Sequence, residues 1–244
     1  GDTLVWMESV PRDMAAPATT LWRATWSADT PPVLVTADTG QPTFIGSATD
    51  VVLHAGTVTW ISLDPSGSGA TEVRSVPVGG GTVSVRRLDG EYRLSTPPWA
   101  VTATTGPGRP VTLLNLETNE RIDVNVEPTD VAVCDPVWCR LTVTGEEGLV
   151  AIDVMRTDGS ERRRIAGSEA TPTIGDAALL DRYVPLAVDR SGGVGLSIVD
   201  LSTGKTHLVA PRATNVTGRG SIVWWSTGTG PDLTWHALDL ARLP

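Results

Sequence analysis

Two similar stretches of sequence decide the fold: STPPWA at residues 95–100 and CDPVWC at residues 134–139. They lie 39 positions apart, and the same offset pairs Val111 with Val150. A further copy has Tyr183 at the position of the tryptophan. Self-similarity at a fixed period is typical of repeat architectures. The chain is therefore built from a repeated unit of about 40 residues.

One aromatic side chain marks each unit. Residues 56–60 and 220–224 share a glycine, an aliphatic residue and a tryptophan at one spacing, and residues 2–6 follow this pattern with aspartate for glycine. We expect the marker aromatics to pack between neighbouring units, because a large ring in each repeat fills such an interface. The six markers are Trp6, Trp60, Trp99, Trp138, Tyr183 and Trp224.

Short segments rich in β-branched residues, bounded by Gly, Pro, Asp or Ser, predict strands within each unit. No stretch has apolar residues at helical spacing over a helical length. The sequence therefore predicts an all-β, six-bladed β-propeller of four-stranded antiparallel blades. The first and last blades are expected to be incomplete or to share strands. The alternatives are a seven-bladed ring that lacks a piece and a two-sheet β-sandwich, for which the period is too long.

The whole chain, residues 1–244, is predicted to be one propeller domain. The predicted blades are residues 1–42, 43–88, 89–127, 128–172, 173–212 and 213–244.

Composition excludes two classes of function. The 244 residues carry 19 Lys and Arg against 28 Asp and Glu, a formal net charge of -9, which argues against a nucleic-acid partner. The apolar runs are too short for a membrane span. Because the sequence starts at Gly1 without Met, we expect a processed form from which an export segment has been removed.

The two cysteines, Cys134 and Cys139, are close enough to form a disulfide only if the chain between them turns back. Asp135-Pro136 favours such a turn. We expect a hairpin loop closed by a disulfide at its base, in an oxidising compartment. Two reduced thiols in a cytosolic protein are the alternative.

The repeats, the CDPVWCR hairpin at residues 134–140 and the DLSTGK turn at residues 200–205 resemble the secreted TolB-like or WD40-like six-bladed propellers of bacteria. The resemblance implies a periplasmic or extracellular location, either secreted or tethered to the membrane through a removed N-terminal segment. It also implies a protein-binding or scaffold role. Propellers host many functions, so the fold alone does not fix one.

No catalytic, cofactor-binding or metal-binding residue is predicted. Ser202 and Lys205 have a serine acylase spacing, but they lie in a predicted hairpin turn instead of a helix. The three histidines, His54, His207 and His236, lie in or beside strand-like segments and are expected to be structural or solvated. Residues 10–20 are expected to form a long loop between strands, either idle or a lid over the channel.

Three functional hypotheses follow. The first is an exported, non-catalytic propeller that binds a protein or peptide partner. The second is a hydrolase or lyase with a small-molecule site at the central channel, where a divalent cation such as calcium could bind. The third is carbohydrate binding through exposed tryptophans. The candidates for such stacking are Trp22, Trp26, Trp225 and Trp235.

Overall fold

The computed structural model describes residues 2–12, 15–27, 30–43, 51–103, 106–146 and 148–243. These residues form six sheets and two short 3-10 helices, Gly230–Asp232 and Leu240–Arg242. The chain is a six-bladed β-propeller with mostly four-stranded antiparallel blades, which confirms the fold predicted from the repeats. Neither helix in the described ranges is long and apolar enough to cross a membrane.

The chain divides into two compact units, residues 1–103 and 104–244. In the first unit, one sheet has three described strands in the order β1-β2-β3 and another has the order β4-β5-β6-β7. The first unit also holds the antiparallel pair β8–β9, and the second unit holds the antiparallel pair β10–β11. The strands of the first unit are β1 (Thr3–Arg12), β2 (Ala15–Thr25), β3 (Val33–Thr36), β4 (Val51–His54), β5 (Thr57–Leu63), β6 (Thr71–Pro77), β7 (Ser84–Leu88), β8 (Tyr92–Leu94) and β9 (Trp99–Thr102).

The second unit holds β10 to β23. Its complete sheets have the orders β12-β13-β14-β15, β16-β18-β19-β20 and β17-β21-β22-β23, and we call them the fourth, fifth and sixth sheets. The strands are β10 (Val111–Asn115), β11 (Arg121–Val124), β12 (Asp130–Cys134), β13 (Trp138–Gly145), β14 (Gly148–Arg156), β15 (Arg163–Gly167), β16 (Ala170–Pro172), β17 (Ile174–Gly175), β18 (Tyr183–Arg190), β19 (Gly193–Asp200), β20 (Lys205–Ala210), β21 (Thr214–Arg219), β22 (Ile222–Thr227) and β23 (Thr234–Asp239).

The sixth sheet takes one strand from the chain that follows β16. Strand β17 runs parallel to β21, and Gly175 is level with Gly218. Gly175 has a φ of +123°, and a β-carbon there would lie 1.9 Å from the carbonyl oxygen of Gly218. Only glycine allows this approach, so the segment between β16 and β18 extends the sixth sheet at its β21 edge.

The prediction of a long loop at residues 10–20 was wrong. Strands β1 and β2 form a long hairpin that continues through this stretch to the pair Arg12 and Ala15. The register shifts between Val10 and Arg12, which places Pro11 at an irregularity of an edge strand, where a missing N–H is tolerated. The tip, Asp13 and Met14, lies outside the described residues.

Buried apolar side chains lie between successive sheets. One cluster joins the first and second sheets around Trp60, which is fully buried. A second joins the fourth and fifth sheets and includes Trp138, and a third joins the fifth and sixth sheets and includes Tyr183. Trp6, Trp99 and Trp224 are half-buried. Packing between blades by all six marker aromatics stays a prediction.

Polar groups also connect the fourth and fifth sheets. The indole N–H of Trp138 donates to the carbonyl of Asp181 at 2.9 Å. The buried guanidinium of Arg140 donates to the carbonyls of Thr173 at 2.8 Å and Asp176 at 3.2 Å. A charged group can be buried here because backbone carbonyls replace its hydration. These bonds fix the segment that carries β17.

The predicted disulfide between Cys134 and Cys139 is confirmed. The two residues face each other in the β12–β13 register, with their Cα atoms 4.0 Å apart, and both are buried. The N–H of Asp135 donates to the carbonyl of Trp138 at 2.8 Å, which closes the tight loop between the strands. The disulfide indicates an oxidising, extracytoplasmic environment.

Candidate functional site

A cleft in the second unit lies where the fifth and sixth sheets meet. Its volume is about 570 Å³, within the range of ligand sites. Arg190 ends β18, Arg212 lies between β20 and β21, and Trp225, Thr227 and His236 come from β22 and β23. We call this the arginine cleft.

The strand order explains why these residues meet. In an antiparallel sheet, the β18–β19 turn and the chain leaving β20 lie at the same end of the fifth sheet. Arg190 is paired with Gly193 across that turn. The chain leaving β20 is held against β19 because the N–H of Ala213 donates to the carbonyl of Val194 at 2.8 Å. Both arginines therefore lie at one rim of the cleft.

An aromatic wall comes from the sixth sheet. Trp225 and His236 are cross-strand partners, and their rings stack with centroids 5.3 Å apart and an interplanar angle of 19°. His236 Nε2 and Thr227 Oγ1 are hydrogen-bonded at 2.8 Å. Trp225 belongs to the apolar cluster between the fifth and sixth sheets and is only 9% exposed. This support fixes the wall before any ligand binds.

The two arginines retain donors for a ligand. Both are exposed, and neither forms an ion pair within the described part of the chain. Arg190 Nη2 lies 3.5 Å from Ser197 Oγ, a long and weak hydrogen bond. Arg212 has no hydrogen-bond partner among the residues that the structure describes. Among the residues that the structure describes, no Asp or Glu lines the cleft.

A second cleft of about 320 Å³ adjoins the first along the chain. Pro211 and Arg212 line the arginine cleft, and the next residues, Ala213 and Thr214, line this neighbouring cleft. Its lining is mainly apolar and includes exposed Ile174 and Val194, which are 61% and 41% exposed. Adjacent residues of one chain segment thus line both the arginine cleft and this mainly apolar cleft.

The three histidines differ in their surroundings. His54 and His207 are exposed, at the end of β4 and within β20, whereas His236 lines the arginine cleft. Among the described residues, no group of three or more His, Cys, Asp or Glu has a geometry that could hold a metal ion. A divalent cation at the channel stays a prediction of the alternative hypothesis.

Ser202 lies in the turn between β19 and β20, and Lys205 begins β20, so the pair belongs to a hairpin and not to a helix, as expected. Ser202 Oγ donates to Asp200 Oδ1 at 2.6 Å, and Arg182 Nη2 donates to Asp200 Oδ2 at 2.8 Å. The Arg182 guanidinium, followed by Ser202, holds the pKa of Asp200 well below its ordinary value. The aspartate therefore stays ionised and fixes the turn.

The four candidate tryptophans differ in exposure. Trp26 is 80% exposed and Trp235 is 56% exposed, whereas Trp22 is half-buried and Trp225 is buried. Trp26 and Trp235 therefore remain the candidates for stacking on a carbohydrate ring. The sequence hypotheses named Trp225 and His236 but did not connect them, and they missed Arg190, Arg212 and Thr227. The signal for this site in the sequence was the pair Trp224-Trp225. Adjacent residues of a strand point to opposite faces, so the two indoles lie on different sides of the sheet.

Comparison with known proteins supports the fold and no narrower assignment. No protein-family model matches the chain, and no curated protein matches its sequence. An acylaminoacyl peptidase has a TM-score of 0.66 at 9% identity, covering 98% of this chain and 43% of that chain. This chain therefore spans less than half the length of that peptidase.

Two further solved structures are similar. Oligogalacturonate lyase in complex with manganese has a TM-score of 0.62 at 10% identity, covering 99% of this chain and 72% of that chain. TolB from Acinetobacter baumannii has a TM-score of 0.48 at 11% identity, covering 99% of this chain and 67% of that chain. The likeness shows the β-propeller fold, and membership of a secreted TolB-like family stays a prediction.

Proposed function

We propose that this protein is an exported, non-catalytic β-propeller that binds a peptide segment of a protein partner at the arginine cleft. The observation that carries the proposal is the combination of a fixed Trp225 wall with two arginines that lack ion-pair partners within the described ranges. Tryptophan and arginine are enriched among the residues that dominate binding energy at protein interfaces. The disulfide supports an extracytoplasmic location.

The cleft offers little support for catalysis. None of the described residues that line it is a carboxylate that could orient His236 or act as a general acid. Binding needs only shape, apolar contact and a few fixed polar groups, and the cleft has all three.

A peptide library tests the proposal. We expect phage-displayed random peptides to select a consensus on the intact protein, and the corresponding synthetic peptide to bind in fluorescence anisotropy. Val209→Trp fills the cleft from β20 and should abolish binding. Leu208→Trp adds the same ring at the adjacent exposed position and should preserve it. Selection of no consensus, or equal binding by both variants, would contradict the proposal.

A hydrolase is the second candidate, and the Thr227–His236 hydrogen bond is the observation that favours it. A hydroxyl bonded to an imidazole is the arrangement of a nucleophile and its base. Solved structures of similar fold include a peptidase and a lyase.

Turnover separates the two functions. The non-catalytic proposal predicts no release of nitrophenol from a panel of nitrophenyl esters and no cleavage of the selected peptide. Turnover that disappears in both Thr227→Val and His236→Gln, while Thr234→Val retains it, would establish the hydrolase instead. Thr234 is a suitable control because it lies exposed on β23 and does not line the cleft.

A further inference from the structure

We infer that the arginine cleft recognises an acidic side chain within an extended peptide segment. This inference rests on the proposed function and names the chemistry of the group that the cleft selects. The occupant is the interior of a peptide, with the carboxylate of a Glu or Asp at the arginines and the following residue in the neighbouring cleft.

Charge complementarity is the first argument. The chain has a formal net charge of -9, so a rim with two arginines and no acidic residue in its described lining departs from the average charge of the molecule. Arg190 and Arg212 are not neutralised by an ion pair with any described residue. A carboxylate matches the planar donors of a guanidinium and can accept two hydrogen bonds from one arginine.

The placement of Arg190 is the second argument. A β-carbon on Gly195 would lie 3.3 Å from Arg190 Cδ and 3.2 Å from the carbonyl oxygen of Pro211. Gly195 therefore leaves space in which the stem of Arg190 lies along β19, next to the residue that precedes Arg212. The two guanidinium groups are thus carried by adjoining backbone segments at one rim. The Arg190 side chain is therefore partly ordered in the free protein, which reduces the conformational entropy that it loses when a ligand binds.

The neighbouring cleft is the third argument. It begins at Ala213, immediately after Arg212, and its exposed lining combines the apolar Ile174 and Val194 with the polar Thr214 and Asn215. A ligand that ended at its carboxylate would leave this second cleft empty. A peptide that continues past the acidic residue fills both. This favours an internal acidic side chain over a free C-terminus.

Labelled peptides test the inference. The probe is a fluorescein-labelled peptide, blocked at both ends, with one central glutamate followed by leucine. The matched peptides replace that glutamate with glutamine, or keep glutamine and leave the C-terminal carboxylate free. We expect the glutamate peptide to bind at least about tenfold more tightly than either, because a charged hydrogen-bond pair is lost in both.

Variants of the protein complete the test. Arg212→Gln and Arg190→Gln should each weaken the glutamate peptide about tenfold and leave the glutamine peptide unchanged. Arg109→Gln removes the same charge from an exposed position outside the cleft and should change neither.

Each contrary result has a distinct meaning. Equal binding of the glutamate and glutamine peptides, with loss of both in Val209→Trp, would overturn the carboxylate inference and leave the proposed function standing. Preference for the free C-terminal carboxylate would overturn the internal-segment assignment. Absence of binding by every peptide, including the library consensus, would overturn both proposals.

Discussion

At the residue scale, Asp200 links titration to stability. Its carboxylate accepts hydrogen bonds from Arg182 Nε at 3.0 Å and Nη2 at 2.8 Å and from Ser202 Oγ at 2.6 Å. Arg182 and then Ser202 lower the pKa of Asp200 from its ordinary value of 3.8. The unfolded chain therefore binds this proton more readily than the folded chain. The stabilisation is complete above pH 3.8 and is lost as the pH falls through the lowered pKa.

We expect Asp200→Asn to reduce the free energy of unfolding at neutral pH by about 1 kcal/mol or more, because one charged partner is lost and Arg182 is partly solvated. Urea titrations from neutral to acid pH measure this. The difference between wild type and variant should shrink as the pH falls below about 4. Asp89→Asn, at an exposed aspartate, is the control. A constant difference at every pH would contradict this assignment.

Residue roles of this kind were only partly predictable. The sequence correctly marked Asp135-Pro136 as a turn, but the Asp135 carboxylate also accepts hydrogen bonds from the N–H groups of Ala177 and Ala178. Those donors lie more than 40 positions away in the chain. Local propensity describes the turn, whereas the partner depends on how the fourth and fifth sheets stack, which no local pattern contains.

At the element scale, the β12–β13 hairpin carries the disulfide. Because the bond closes a small loop between residues already paired in register, the chain-entropy model gives about 2 kcal/mol of stabilisation. We expect the double variant Cys134→Ala, Cys139→Ala to remain folded and to lose about this amount in urea unfolding. Wild type treated with reductant should show the same loss, and the variant should not respond to reductant. A reductant-sensitive variant would contradict the prediction.

Strand boundaries show what local patterns miss at this scale. The hairpin closed by the disulfide was predicted because its geometry is local. Residues 10–20 of the β1–β2 hairpin were predicted as a loop, since the prolines and polar residues there obscure the alternation of a strand. The arginine cleft was also unpredictable, because Arg190 and Arg212 come from two turns of one sheet and the aromatic wall comes from another. Only the stacking of sheets brings them together.

At the scale of the whole molecule, the repeat period predicted the architecture. A repeat spacing of about 40 residues follows from stacked sheets that cannot bury both faces alone. The first and last blades were expected to be incomplete or to share strands with each other, but the sixth sheet takes its fourth strand from the segment between β16 and β18. The donor is the two-residue strand β17, which is too short to have a sequence pattern of its own.

The net charge of -9 predicts how salt acts on binding of the acidic peptide. At about 0.01 M salt the screening length is about 30 Å, so an approaching acidic peptide is repelled by the charge of the entire protein. At about 0.15 M salt the screening length falls to about 8 Å, and the peptide then responds mainly to the arginines at the rim. Added salt should therefore raise the association rate over this range, while it raises the dissociation rate by weakening the contacts.

Stopped-flow anisotropy measures both rates. We expect affinity to be greatest at an intermediate salt concentration for wild type, and Arg212→Gln to weaken binding chiefly through faster dissociation. An association rate that falls steadily with salt would show that the arginines outweigh the net charge even at long range.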